Sequence, residues 1–257
     1  MYADDLWRSG RSLLHVHTEE NNARARALFV EAIRLEPGFA RAYGHLSYTY
    51  VRAYMYGWDP QPGDAQAMAL RLAERALQLD PADYDNHWSM GVALLWNDRH
   101  DEAVAAYEEA MAKNAHDPDL LASMGDALVA VGRSSQAVDQ IQRALKLNPE
   151  PPAWYRWNLG FAHLMRKDHE SAIRDLLPTT GRLNAARLHL AASYALRDRA
   201  ADASLGDPGD KARAAQEVKE LLQREPQWSV ALAKRQPLKD AADQKHLEAG
   251  LRTAGLK

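Results

Sequence analysis

Five segments of the chain end in variants of one hexapeptide: Ala32–Pro37, Ala76–Pro81, Ala110–Ala115, Ala144–Pro149 and Leu221–Pro226. Each reads as an apolar helical run, then Asp, Glu or Asn, then in four of the five a proline. The residue before a proline is driven out of the α region, so the pattern stops a helix. The final positions lie 44, 34, 34 and 77 residues apart. A 34-residue period is the length of a helix–turn–helix module and is too short to enclose a core of its own. The chain must therefore stack helical pairs against one another, an architecture that offers extended surfaces rather than a central cleft.

Residues between the helix ends keep the same period. Met90-Gly91, Leu94, Ala103, Tyr107 and Ala110 are matched by Met124-Gly125, Leu128, Ala137, Ile141 and Ala144. Leu159-Gly160, His163, Ala172 and Leu176 follow, shifted by one residue. Glycine on the first helix permits close approach of the second, whose alanines leave room for the bulky residue between them. A first pair is expected from helices 3–17 and 20–36, with Ala25, Phe29 and Ala32. A second carries Tyr43, Leu46 and Tyr50, then Ala69, Ala73 and Ala76. Its helices are separated by an aromatic insertion, 53–63, containing Tyr54, Tyr56 and Trp58. Pro60, Pro62 and Gly63 break the helix there, and Asp64 is expected to cap the next one. The sixth pair has Leu190-Ala191 and Tyr194, an insertion at 202–210, and a helix at 211–225. A short helix near 228–235 and a capping helix near 240–254 complete the pattern. One domain, 1–257, is expected, with units at about 3–37, 38–81, 82–115, 116–149, 150–181 and 182–226 and a cap at 227–257.

Composition narrows the chemistry. A net charge of −3 lacks the basic excess of nucleic-acid binders. Absence of cysteine removes disulfides, thiolate metal sites and a thiol nucleophile. No apolar run approaches 18 residues and no leader pattern opens the chain, so no membrane partner and a cytoplasmic location are expected. Met1 stands directly against a helical pattern, which reads as a segment cut from a longer protein. There is no His-Glu-x-x-His, no Gly-x-Ser-x-Gly and no calcium-loop spacing. The stretch from Gly250 to Lys257 lacks the Lys-Ser/Thr of a phosphate loop. His15 and His17, and His163 and His169, are spaced for different helix faces. No catalytic residue, metal or cofactor is expected.

The informative constellation lies on the first helix of each pair, at i, i+4 and i+8. These stripes read Trp7-Arg11-His15, Gly44-Tyr48-Arg52, Trp88-Val92-Trp96, Ala122-Asp126-Ala130, Trp157-Phe161-Met165 and Leu188-Ala192-Leu196. They alternate with the packing positions, which predicts an inner groove lined by Tyr48, Arg52, Trp88, Val92, Trp96, Asp126, Trp157, Phe161 and Met165. Aromatic walls would stand either side of a low floor with one acid, Asp126. The competing reading is that the chain's own C-terminal helix, or a second copy, covers these rings.

From about 3 to 226 the units resemble tetratricopeptide repeats, which implies a right-handed α-solenoid of about six helix–turn–helix pairs plus a C-terminal capping helix. Asp5–Arg11, the aromatic insertion after Tyr50 and the ending Gly250–Leu256 resemble the repeat region attached to bacterial class III adenylate/guanylate cyclases and to some winged-helix regulators. That resemblance implies a regulatory or assembly module in bacterial signalling, without a cyclase catalytic domain. The Asn and Lys clamp of chaperone-tail-binding members is not matched, since the equivalent positions are Arg11, Tyr48, Val92, Asp126, Phe161 and Ala192. The expected function is a non-enzymatic scaffold that binds a peptide or helical segment of a protein partner. The alternatives are a homodimerisation module for an attached effector and, in another class, an enzyme with its site around Asp126.

Overall fold

The computed structural model describes residues 2–59, 61–198, 207 and 209–257. Within them the chain is all-α, without strands, and its helices follow as pairs. The first three pairs are α1 (Ala3–Leu14) with α2 (Glu19–Leu35), α3 (Ala40–Met55) with α4 (Pro62–Leu79), and α5 (Tyr84–Leu95) with α6 (His100–Lys113). The next are α7 (Pro118–Ala130) with α8 (Ser134–Leu147), α9 (Ala153–Met165) with α10 (His169–Leu176), and α11 (Ala186–Asp198) with α12 (Asp210–Arg224). The short α13 (Val230–Ala233) and α14 (Ala241–Ala254) close the chain. The chain divides into two compact bodies, Met1–Leu120 and Leu121–Lys257. No described helix is long and apolar enough to cross a membrane.

The hexapeptide acts as a helix terminator through a recurring hydrogen bond. The N–H groups of Glu36, Asp80, Asn114, Asn148 and Glu225 donate to the carbonyls of Ala32, Ala76, Ala110, Ala144 and Leu221. The fifth residue of each hexapeptide thus caps the first, while its own ψ has already left the helical range. Turns within the pairs are periodic as well. Asp98, Gly132 and Lys167 adopt φ of +58°, +76° and +63°. The N–H of the residue after each bonds back to Leu94, Leu128 and His163, the wrap that closes a helix in a left-handed C-terminal turn. Gly57, at φ +68°, makes the same turn after α3.

Four of the six pairs close on a glycine. A Cβ added at Gly10, Gly91, Gly125 or Gly160 would lie 2.5, 2.8, 2.4 or 2.4 Å from Phe29, Tyr107, Ile141 or Leu176. All four bulky partners are buried, and the flanking alanines 25, 32, 103, 110, 137, 144 and 172 are fully covered. The α3–α4 pair replaces this arrangement. Ser47 stands in the glycine position, its Oγ donates to the Ala69 carbonyl at 2.7 Å, and small Ala73 takes the place of the bulky residue.

Two boundaries differ from the sequence reading. α1 stops at Leu14 rather than 17, because the N–H groups of His15 and Val16 turn back onto Ser12 and Leu13. α4 starts at Pro62, which puts Asp64 in its first turn instead of at the cap. Of the expected insertion at 202–210, residues 202–206 and 208 lie outside the described residues. At its end the carboxylate of Asp210, fully buried, is held by the fork of Arg197 at 2.6 and 2.8 Å. The terminal helix does cap the fold: Gly250 of α14 packs against Ala192 and Leu196 of α11.

Gly125→Ala is expected to lower stability by about 1–3 kcal/mol, the usual cost of overpacking a well-filled contact. Adding Ile141→Val should recover part of the loss in a urea melt. An unchanged midpoint for Gly125→Ala would mean that the pair has slack at this contact.

Candidate functional site

The sequence stripes fall on consecutive turns of the first helices, and each body presents its own set. In the body 1–120, Tyr48 and Arg52 stand on α3, Trp88 and Val92 on α5, and Trp96 at the α5 C-cap. Tyr48 and Trp88 are half-buried and meet edge to face at 5.3 Å, with the His45 ring 5.7 Å from Trp88. Val92 and Trp96 are buried, and Trp96 is approached by Tyr54 of the aromatic insertion at 6.3 Å. Gly44 is a packing residue, since a Cβ there would meet the Ser89 side chain at 2.8 Å. Arg52 is buried.

In the body 121–257 the aromatic stripe of α9 is likewise covered. Trp157, Phe161 and Met165 are buried, and Trp157 donates from Nε1 to His189 Nδ1 at 2.9 Å. Phe161 stacks on the same imidazole at 4.2 Å and 13°. Val92, Trp96, Trp157, Phe161 and Met165 therefore do not form the open walls that their spacing suggests. Trp157 and Phe161 face His189 of the next pair, and apolar rings placed there are taken up by the seam between the two pairs.

Sequence reasoning missed the histidines of that seam. Trp7 Nε1 donates to His45 Nδ1 at 3.2 Å, repeating the Trp157–His189 arrangement. Indole N–H can only donate, so His189 accepts at Nδ1 and carries its proton on Nε2, whereas His45 Nδ1 faces both the Trp7 N–H and the Arg41 carbonyl at 3.1 Å. The legible signal is a tryptophan at the fifth position of one unit and a histidine at the sixth position of another. Burial holds both histidines below their ordinary pKa, His189 down to about 3. His45 is lowered by burial first, with a smaller opposing effect of Asp85.

Asp126 is different in kind. It lies on α7 one turn from Ala122 and one from Ala130, both buried, and is itself only half-buried. No hydrogen bond or ion pair joins it to another described residue, and burial alone raises its carboxyl to about 6. A carboxylate held near solvent without a counter-charge is an unmet demand for a cation or donor. Beside it, Asn158 of α9 donates to the Ala122 carbonyl at 3.4 Å. No described group of three or more His, Cys, Asp and Glu residues could hold a metal ion.

Two family models described as tetratricopeptide repeat match residues 63–118 and 95–157. A protein named putative adenylate cyclase 3, from Rhizobium meliloti (strain 1021), is 29% identical over 100 residues, 39% of this chain and 17% of its own. The chain thus spans under a fifth of that relative's length. Among solved structures, the APC/C hetero-tetramer Cut9-Hcn1 is similar over 97% of this chain and 46% of its own, at 16% identity and a TM-score of 0.61. TTC0263, a TPR protein of Thermus thermophilus, is similar over 74% and 98%, at 16% identity and a TM-score of 0.58. These structural likenesses speak to the fold alone.

The seam makes a pH prediction. His189 ordinarily titrates near 6.5 in an unfolded chain and at about 3 in the folded one. Between those values the unfolded chain takes up a proton that the folded chain refuses, so stability falls as pH drops from 6.5 toward 3. His189→Gln keeps an acceptor for Trp157 and removes the titration. Thermal melts of this variant should show a shallower loss between pH 6.5 and 4, and an unchanged slope would contradict the assignment.

Proposed function

Because the chain is a tetratricopeptide-repeat protein, we propose that it serves as a non-enzymatic interaction module for a protein or peptide partner. The finer reading is that a peptide or helical segment lies along α7 in the body 121–257 and presents a lysine or arginine to Asp126. One observation carries it: Asp126 is a half-buried acid with no hydrogen bond or ion pair to another described residue. A cation offered there gains strength from the reduced dielectric. Acid–base catalysis would need a second positioned group, and Asp126 has none among the described residues. In the other body, Tyr48 and Trp88 supply half-exposed aromatic surface of the type that anchors apolar residues. Attachment to a signalling effector is supported by the partial likeness to the putative adenylate cyclase, and by that likeness only.

The test is a peptide array probed with the whole chain, followed by titration of the strongest binder. Asp126→Asn should weaken binding about tenfold and Asp126→Lys more, with helicity by circular dichroism unchanged. Replacing the ligand's basic residue with glutamine should cost a similar amount and should cost nothing further against Asp126→Asn. Binding indifferent to both changes would refute the α7 reading.

A further inference from the structure

The body 1–120 contains a buried guanidinium with no carboxylate partner among the described residues. Arg52, on the last turns of α3, is 1% exposed. Its Nη1 donates to the Leu14 carbonyl at 2.9 Å, the end of α1, where helix carbonyls carry partial negative charge. Its Nε and Nη2 have no hydrogen-bond partner, and no carboxylate forms an ion pair with it among the described residues. The rings of Tyr48, Tyr56 and Trp58 stand 5.8, 5.9 and 5.9 Å from the guanidinium. Cation–π attraction offsets part of the desolvation, and a buried unpaired cation is otherwise among the costliest features a fold can carry.

The unpaired edge has a defined chemistry. Nε–H and one Nη2–H point the same way and match the two oxygens of a carboxylate. This chain uses that edge repeatedly. Arg34 grips Glu31 with it, Arg41 grips Asp83, Arg99 grips Glu102 and Arg197 grips Asp210. In Arg52 alone of these five the edge is turned inward and left without its acid. His17 holds Tyr56 through a 2.8 Å contact to its hydroxyl, and His15 stands close enough to act on His17. Burial first, then Arg52 and His15, keep His17 well below its ordinary pKa, so it is neutral near pH 7.

A short turn stands beside the guanidinium, with two of its rings 5.9 Å away. Tyr56 and Trp58 stack at 4.6 Å on either side of Gly57, whose positive φ wraps the chain back so that the Trp58 N–H reaches the Ala53 carbonyl. Tyr56 is buried while Gly57, Trp58 and Asp59 are half-exposed, so solvent reaches the outer side of the stack. We propose that Arg52 anchors a carboxylate-binding site closed by the Tyr56–Trp58 turn, in which one carboxylate of a ligand takes the Nε–Nη2 edge and the aromatic rings pack against its carbon skeleton. The site belongs to the body 1–120 and is independent of the reading for Asp126, so either can fail alone.

The test follows the Arg52 side chain directly. The Nε–H resonance of Arg52, assigned by its loss in Arg52→Lys, is observed by nitrogen-15 NMR in the full chain during titration with sodium acetate. Sodium chloride and inorganic phosphate at matched ionic strength are the controls. Saturable displacement of that resonance by acetate, with the Trp58 indole N–H moving in parallel and chloride and phosphate without saturable effect, is the expected result. Trp58→Ala, on the half-exposed turn, should bind acetate several-fold more tightly and keep the thermal unfolding cooperative. No saturable response to acetate in either protein overturns the proposal. An equal response to phosphate also overturns it, since the site would then select charge and not the planar carboxylate.

Discussion

Two helices of a pair approach closely where a small residue stands at their contact, and five of the six pairs meet that constraint with a glycine or a serine. Gly10, Gly91, Gly125 and Gly160 lie beneath Phe29, Tyr107, Ile141 and Leu176 with no room for a Cβ. Covered alanines one turn to either side set the height of the second helix. The α3–α4 pair obeys the same constraint with other chemistry: the Ser47 hydroxyl bonds the carbonyl that a glycine would only approach. With spacing set at this contact, the left-handed turns at Asp98, Gly132 and Lys167 recur with the period of the sequence.

Stacking the pairs consumes most of the aromatic surface. A ring on the first helix of one pair lies against the first helix of the next, and tryptophan additionally needs an acceptor for its N–H. His45 and His189 supply that acceptor to Trp7 and Trp157. Their cost is an imidazole kept neutral by burial, which ties cohesion between pairs to pH. The residues left over after stacking are then the informative ones: among the described residues, Asp126 is an acid without a cation and Arg52 a cation without an acid.

The pair architecture was legible because period, helix terminator and glycine contact each left a local mark. The hexapeptide predicts a helix end, and the hydrogen bond from its fifth residue to its first supplies the reason. The site was legible only in part. Spacing places Trp96, Trp157, Phe161 and Met165 on one helix face, but it does not tell a groove wall from a seam, because both are apolar and both recur every four residues. The difference lies in a neighbour distant in sequence, such as His189 under Phe161. Asp126 stood out because a lone acid among alanines is conspicuous even without coordinates. Arg52 was named as groove charge, and only its orphaned Nε and Nη2 reveal what it lacks.

In the proposed reading, the group that the body 121–257 leaves for a partner to satisfy is the Asp126 carboxylate. Its protonation is therefore the quantity to observe. Carbon-13 NMR of the Asp126 side-chain carboxyl across pH, in the free chain and with a saturating basic peptide bound, measures it without a binding model. The account predicts a midpoint near 6 in the free chain, set by burial, and a fall to the ordinary aspartate range or below once a lysine or arginine pairs with it. A free-chain midpoint near 4, unmoved by the bound peptide, would contradict it.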